Sequence, residues 1–138
     1  MDNARAQTEI DALVADFFSA FDNRDGSTPR LADVVDCFAD KATIVQRLKG
    51  GAELYTVTEF AVPRINLLTQ GGLLNFHERE TSSTMQIYDG IATRTSRYRK
   101  SGLLDGNEYV GSGTKCFQFV DLGTGWRIAS LAWVDDNA

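Results

Sequence analysis

The stretch FHERETSSTMQIYDGIATRTSRYR, residues 76–99, decides the fold of this chain. It contains two strand-like runs, Phe76–Tyr88 and Ile91–Arg99, on either side of Asp89-Gly90. An Asp-Gly pair between two such runs is the strongest short-range signal of a β-hairpin. The sequence therefore predicts two long antiparallel strands joined by a two-residue turn.

The same pattern continues towards the end of the chain. Strand-like runs at Glu108–Val120 and Trp126–Asp135 flank the turn Leu122-Gly123-Thr124-Gly125, which gives four successive strands. Gly111 and Gly113 fall inside the first of these two runs, where glycine is typical of a bulge or a sharp bend.

The front half of the chain predicts three helices and one short strand. Six apolar residues at helical spacing indicate that the first helix buries one face; they are Ile10, Leu13, Val14, Phe17, Phe18 and Phe21. We expect this helix to end near Gly26, the second to begin at Ser27-Thr28-Pro29 and the third at Thr56, because each position offers suitable cap residues. Ala42–Gln46 predicts a short strand between the second and third helices.

A sheet of this length needs a cover on at least one face, and the apolar faces of the three helices can supply it. Strand twist would curl the sheet around the helices and leave a hollow beside the first helix, where a pocket commonly forms. We therefore predict a single α+β domain over residues 1–138, a cone-shaped curled antiparallel sheet packed on three N-terminal helices. Apolar residues on the other face of the sheet are most simply explained by a homodimer.

Composition and charge exclude several classes of function. The net charge of −5 argues against nucleic acid as a partner. No apolar run approaches the roughly 20 residues of a transmembrane helix, and Met1–Arg5 lacks the pattern of a signal peptide, so we expect a cytoplasmic protein without membrane contact. His77 is the only histidine, and Cys37 and Cys116 belong to no metal-binding or redox motif. We expect no metal and no cofactor, and we predict both cysteines to be small core residues.

Five stretches, taken in order, resemble the nuclear transport factor 2-like superfamily, in its SnoaL-like branch. They are Ala12–Phe18, Cys37–Thr43, Phe76–Glu80, Asp89–Ala92 and Gly125–Ile128, and together they span nearly the whole chain. The resemblance implies the α+β cone of that superfamily, which is also called cystatin-like. The superfamily includes ketosteroid isomerase, polyketide cyclases, dehydratases and non-catalytic domains, so the fold does not determine the function.

Two main catalytic groups of ketosteroid isomerase have no counterpart at the resembling positions. Its general base is an aspartate at or next to the position of Gln46, and an amide side chain cannot accept a proton at neutral pH. Its oxyanion hole uses a tyrosine of the first helix, where this chain has Phe17, Phe18 and Phe21 on the apolar face. The resemblance therefore does not imply a standard isomerase mechanism.

Side chains alternate along a strand, so the run after residue 76 offers two possible linings for the hollow. If His77 and Arg79 face inward, the imidazole can act as acid or base and the guanidinium can hold an anionic group. If Glu78 and Glu80 face inward, two carboxylates about 7 Å apart can raise one pKa through burial and like charge. A cross-strand row of salt bridges is the structural alternative. Polyketide cyclases of this fold use an acidic residue and a histidine, and we select His77 as the candidate catalytic residue.

The candidate ligand-binding residues are Phe17, Phe21, Arg79 and Tyr98. The two phenylalanines also fit plain core packing, and Tyr98 also fits an aromatic body with a solvated hydroxyl. Trp126 and Trp133 are seven residues apart on one strand, so we expect them to face opposite ways.

Four cations share one predicted strand; they are Arg94, Arg97, Arg99 and Lys100. They are compatible with a solvated strand or with a patch for an anionic ligand. Together, these patterns predict a domain that binds a small, largely apolar organic ligand between sheet and helices. One alternative is a cofactor-independent acid–base enzyme of the isomerase, cyclase or dehydratase type that uses His77. A second alternative is a protein-interaction module with a filled cavity and a large apolar outer face.

Overall fold

The computed structural model describes residues 3–137 and has three helices and six strands in this part of the chain. The helices are α1 (Asn3–Ser19), α2 (Leu31–Val35) and α3 (Val57–Thr69). The strands are β1 (Phe38–Leu48), β2 (Gly51–Tyr55), β3 (Leu73–Tyr88), β4 (Ile91–Leu104), β5 (Asn107–Asp121) and β6 (Trp126–Asp135). Within residues 3–137, no helix is both long and apolar enough to cross a bilayer.

The six strands form one sheet in the order β2-β1-β6-β5-β4-β3. Neighbouring strands are antiparallel except for β1 and β6, which pair in parallel. The helices cover one face of this sheet, so the predicted α+β architecture is confirmed. Two details differ from the prediction: the sheet is mixed, and β2 was not predicted. The glycines at 50 and 51 do not end the sheet but turn the chain into this extra edge strand.

Of the helix ends predicted from the sequence, the start of α3 is confirmed, whereas the start of α2 and the end of α1 differ. The capping box of α3 is confirmed, because the hydroxyl of Thr56 accepts from Glu59 N at 3.2 Å and Glu59 Oε1 accepts from Thr56 N at 2.8 Å. The cap predicted for α2 is wrong, since Arg30 is the N-cap residue and its side chain caps nothing. α1 ends at Ser19, before the predicted stop, although its apolar stripe is buried as expected.

The four cations of β4 do not form one patch, because the strand divides them between its two faces. Arg94 is buried among α1, β3 and β4, where its guanidinium lies 2.6 Å from Asp11 Oδ1 and 2.6 Å from Glu80 Oε1. Lys100 lies on the same inner face, whereas Arg97 and Arg99 are exposed on the outer one.

A β-bulge near the start of β3 determines which side chains of that strand face the helices. The β3–β4 register shifts by one residue between Leu74 and His77, and Asn75 in this gap has a φ of 52°. Leu73 is buried, so a regular strand would also turn His77 inward. The extra residue reverses this alternation, and Phe76 is buried instead.

The side chain of Asn23 holds this bulge in place. Its Nδ2 donates to Leu68 O at 2.9 Å and to Leu73 O at 2.8 Å, and its Oδ1 accepts from Phe76 N at 2.7 Å. Leu73 and Phe76 lie on either side of the bulge, and Leu68 lies in the last turn of α3. One amide therefore fixes the bulge and joins it to the helix layer.

A second bulge corrects the prediction for the two tryptophans. The β5–β6 register shifts by one residue where Gln118 pairs with Ser130 and Phe119 pairs with Ile128. The extra residue of β6 breaks the two-residue alternation. Trp126 and Trp133 are consequently both buried and face the helices, rather than lying on opposite faces of the sheet.

We predict that Asn23→Ala destabilises the protein by about 3 kcal/mol, at about 1 kcal/mol for each of the three side-chain hydrogen bonds that it removes. Urea unfolding at equilibrium measures this difference. Asn66→Ala, at an exposed position of α3, is the matched control and should change the free energy of unfolding little. Equal stability of the two variants would contradict the role given to Asn23.

The cysteines differ in their environment, which corrects part of the sequence interpretation. Cys37 is a core residue at 4% exposure, and burial raises the pKa of its thiol to about 12. Cys116 is exposed on the outer face of β5 and does not belong to the core, because it alternates with the inward side chains of Lys115 and Phe117.

At pH 8, we therefore expect a disulfide reagent such as Ellman's reagent to modify Cys116 rapidly and Cys37 only on unfolding. The thiolate is the reacting species, and with a pKa of about 12 Cys37 is almost fully protonated at this pH. Cys116→Ser should remove the fast phase. Two thiols reacting at one rate in the native protein would show that Cys37 is not protected.

Candidate functional site

A cavity of about 310 Å³ lies between the inner face of the sheet and the helices α1 and α3. Its apolar wall is mainly aromatic and includes Phe17, Phe21, Phe60, Leu68, Phe76 and Trp133. Its polar wall consists of Gln46, Arg64, Glu78, Lys100, Lys115 and Asp135. The cavity therefore combines an apolar body with charges that lie on the sheet, apart from Arg64 of α3.

The cavity opens to solvent beside α3. Pro63 and Leu67 line it and are exposed, so they lie at its mouth. Arg64 lies beside them, with its guanidinium carbon 4.4 Å from the centre of the Phe60 ring. Its Nη1 donates to Phe60 O at 2.9 Å. This cation is thus held against the aromatic wall near the entrance.

The ion pair between Lys115 and Glu78 is more buried than the other ion pair of the cavity wall, between Lys100 and Asp135. Lys115 Nζ lies 3.0 Å from Glu78 Oε1, and the two side chains are 8% and 11% exposed. No donor among the described residues is aligned to hydrogen-bond Glu78 Oε1. The contact between the two groups is therefore a buried ion pair, in which Lys115 supplies the counter-charge to this carboxylate oxygen.

Aromatic rings surround the ammonium group of Lys115. Its Nζ lies 4.1 Å from the ring centre of Tyr98, 5.3 Å from that of Trp133 and 5.9 Å from that of Phe18. Burial lowers the pKa of Lys115, and the opposing charge of Glu78 offsets only part of this effect. A lysine in such a site carries its proton less firmly than one on the surface.

A second ion pair lies next to the first. Lys100 Nζ is 3.2 Å from each carboxylate oxygen of Asp135, and the hydroxyl of Tyr98 donates to Asp135 Oδ1. Burial raises the pKa of Tyr98, and its bond to this carboxylate raises it further. Gly113 makes this arrangement possible, because a Cβ at that position would collide with the Tyr98 hydroxyl. The close approach explains a glycine that the sequence suggested as a bulge or bend.

The five site residues predicted from the sequence do not lie together in the structure. Phe17 and Phe21 line the cavity, as their ligand-binding role requires. Tyr98 lies beneath the polar wall, with 1% exposure and its hydroxyl engaged by Asp135. His77 and Arg79 lie outside this cavity, beside a second hollow on the opposite face of the sheet.

The bulge at Asn75 is the reason for the position of His77. It turns Glu78 and Glu80 inward, which is the second of the two alternatives left open by the sequence. His77 instead contacts Ser101, with its Nδ1 3.2 Å from the hydroxyl oxygen. The acid–base role predicted for His77 requires an imidazole inside the hollow, whereas His77 faces away from it.

Sequence reasoning missed Lys115, although a signal for it was present. Lys115 alternates with Phe117 and Phe119 on β5, and this spacing places its side chain on the buried face. A single cation in a row of inward phenylalanines is unusual, because burying an amine costs free energy unless it is paired. Across the sheet, its neighbour Trp133 pairs in turn with Gln46 of β1, and both residues line the cavity.

Within residues 3–137, no cluster of three or more histidine, cysteine, aspartate or glutamate side chains has the geometry to hold a metal ion. The carboxylates of the cavity face lysines instead of one another.

Comparison with solved structures identifies the fold. The chain superposes on the Kfla4162 protein from Kribbella flavida with a TM-score of 0.79 and 18% identity over 98% of this chain and 93% of that one. A nuclear transport factor 2-like superfamily protein from Salmonella enterica gives 0.77 and 12% over 96% and 92%. The hexachlorocyclohexane dehydrochlorinase LinA-type3 from Novosphingobium barchaimii gives 0.75 and 15% over 97% and 88%.

These likenesses show that the chain has the nuclear transport factor 2-like fold, which confirms the predicted fold. At such identities they carry the fold alone. No protein-family model matches the sequence, and neither does any curated protein.

We predict that Lys115→Met destabilises the protein by about 3–5 kcal/mol, because it leaves the carboxylate of Glu78 buried without its counter-charge. The double variant Lys115→Met/Glu78→Leu should recover most of this loss, since it removes both charges. Chemical denaturation of the single and double variants measures the coupling.

The exposed pair of Arg97 and Asp136 supplies the control, and Arg97→Met should alter stability little. A double variant as unstable as Lys115→Met would mean that lost packing, rather than an unpaired charge, accounts for the effect.

Proposed function

We propose that this protein binds a small, largely apolar organic ligand that carries one anionic or carbonyl head group. The observation that carries this proposal is a solvent-accessible cavity whose aromatic walls end at the buried pair of Lys115 and Glu78. Ligand pockets combine an apolar lining with a few convergent polar groups in this way. Cations and carboxylates are costly to bury, so their presence in a hollow fits recognition of a polar group.

The charges of the cavity wall favour a negatively charged or carbonyl head group on the ligand. Three cations, Arg64, Lys100 and Lys115, face two carboxylates, Glu78 and Asp135. A single negative charge on the ligand would balance the set. The amine and guanidinium groups also offer donors to a carbonyl oxygen, whereas a cationic ligand would add to the excess of positive charge.

A cofactor-independent acid–base enzyme is the second candidate. Lys115 favours it, because its lowered pKa and its contact with Glu78 are typical of functional sites. In this candidate function, Lys115 takes the acid–base role that the sequence analysis gave to His77, which lies outside the cavity. The interaction module receives less support, because it requires a filled cavity.

The proposal also covers the family branch, the cellular location and the oligomeric state of the protein. We place it in the SnoaL-like branch and expect a cytoplasmic homodimer that pairs through the outer face of the sheet. Val110 and Val134 support this interface, since they are 62% and 37% exposed on that face.

A matched series of naphthalene derivatives tests the ligand class. We expect 2-naphthoate to bind more tightly than 2-naphthaldehyde, and 2-(aminomethyl)naphthalene to bind most weakly, because the first balances the cavity charge and the last increases it. Isothermal titration calorimetry gives the affinities. A cation that binds as tightly as the carboxylate would contradict the assignment of the head group.

Blocking the entrance tests the location. Leu67→Trp places a bulky ring at the mouth of the cavity and should abolish 2-naphthoate binding with little loss of stability, because Leu67 is 41% exposed. The matched control is Leu74→Trp, at an exposed leucine of β3 that is absent from the cavity wall. If both variants bind like the parent protein, the ligand does not use this cavity.

A further inference from the structure

We propose that Lys115 forms a covalent imine with an aldehyde or ketone that enters the cavity. This inference rests on the proposed function, because the carbonyl compound must first bind in the same hollow. It assigns a reaction to a residue and a chemical class to the ligand, a small aromatic or aliphatic carbonyl compound.

The position of the amine supports nucleophilic chemistry. Lys115 lines the cavity, so a ligand can reach it, yet its side chain is only 8% exposed to water. A lysine becomes nucleophilic at neutral pH when it is removed from water or placed beside another cation. Both conditions are met: aromatic rings surround its Nζ, and Lys100 lies on the neighbouring strand.

The charged groups around Lys115 act in opposite directions. Glu78 on β3 and Asp135 on β6 favour the ammonium form, whereas Lys100 on β4 disfavours it. Burial outweighs them and lowers the pKa of Lys115. The amine therefore loses its proton more readily than an exposed lysine does.

Lys100 differs from Lys115 although both line the cavity. Its Nζ lies 3.2 Å from both oxygens of Asp135. Burial by itself lowers the pKa of Lys100, but Tyr109 and Asp135 more than compensate and raise it above the ordinary value. Lys100 thus remains a cation, which can hold the head group of the ligand while Lys115 reacts.

The chemistry needs no cofactor. The lone pair of neutral Lys115 attacks the carbonyl carbon, a C–N bond forms, and the carbonyl oxygen takes up a proton. The resulting carbinolamine loses its oxygen as water, and a C=N bond replaces C=O. Glu78, 3.0 Å from the nitrogen, can accept the proton released there and return it to the departing hydroxyl. Amine and carbonyl are consumed, imine and water are formed, and nothing is oxidised or reduced.

Reductive trapping tests the inference on the intact protein. We incubate it with 2-naphthaldehyde and sodium cyanoborohydride at pH 7, and then determine the intact mass and map the modified peptides. The chain has four lysines, Lys41, Lys49, Lys100 and Lys115, so the sites are easily separated. We expect Lys115 to be modified first, about ten-fold faster than the exposed Lys49, because its amine lies in an accessible hollow among aromatic rings that disfavour the ammonium form.

Variants and a competitor complete the experiment. Lys115→Arg keeps the positive charge next to Glu78 and should lose the fast adduct, whereas Lys49→Arg should retain it. An excess of 2-naphthoate should slow modification of Lys115 but not that of Lys49. Peptide mapping of the parent protein decides the question even if Lys115→Arg does not fold.

Two failures are distinguishable. If calorimetry shows that 2-naphthoate binds but trapping modifies only Lys41 and Lys49, the imine is overturned and the binding function stands. If 2-naphthoate does not bind and Lys115 is not trapped, the proposed function fails as well.

Discussion

The bulge at Asn75 is the constraint on which the interior of this protein depends. It inserts one residue into β3 and thereby turns Glu78, instead of His77, towards the helices. Asn23 stabilises it with three side-chain hydrogen bonds that also reach the end of α3. A local backbone irregularity therefore sets the charge of the cavity wall, since the side chains from Phe76 to Glu80 follow the altered alternation until the register shifts again between Glu80 and Ser82.

The cavity wall combines charged side chains, which are costly to bury, with counter-charges and aromatic rings that stabilise them. Lys115 and Glu78 neutralise each other at 3.0 Å, and aromatic rings face the ammonium group. Asp135 is held by Lys100 and by the hydroxyl of Tyr98. Such paired charges add little net stability. Because they contribute little to folding, their occurrence in an accessible hollow is better explained by binding of a ligand. The packing of the sheet is thereby linked to the proposed chemistry.

The fold was largely readable from local patterns, whereas the site was readable only in part. The apolar stripe of α1, the Asp89-Gly90 hairpin and the capping box at Thr56 each depend on neighbouring residues, and each is present in the structure. Phe17 and Phe21 followed from the same stripe. His77 was selected because it is the only histidine, but the identity of a residue does not determine which face of the strand it occupies.

The sequence by itself determined the order of the three helices and of five of the six strands, the buried face of α1 and the two-residue turn at Asp89-Gly90, because these follow from side-chain periodicity and from turn residues close together in the chain. The tertiary structure alone decided that Trp126 and Trp133 share a face, that Cys116 is exposed and that Lys115 meets Glu78. The physical reason is that strand register and bulges depend on pairing between distant segments. Only that pairing brings charges from β3, β4, β5 and β6 to one hollow.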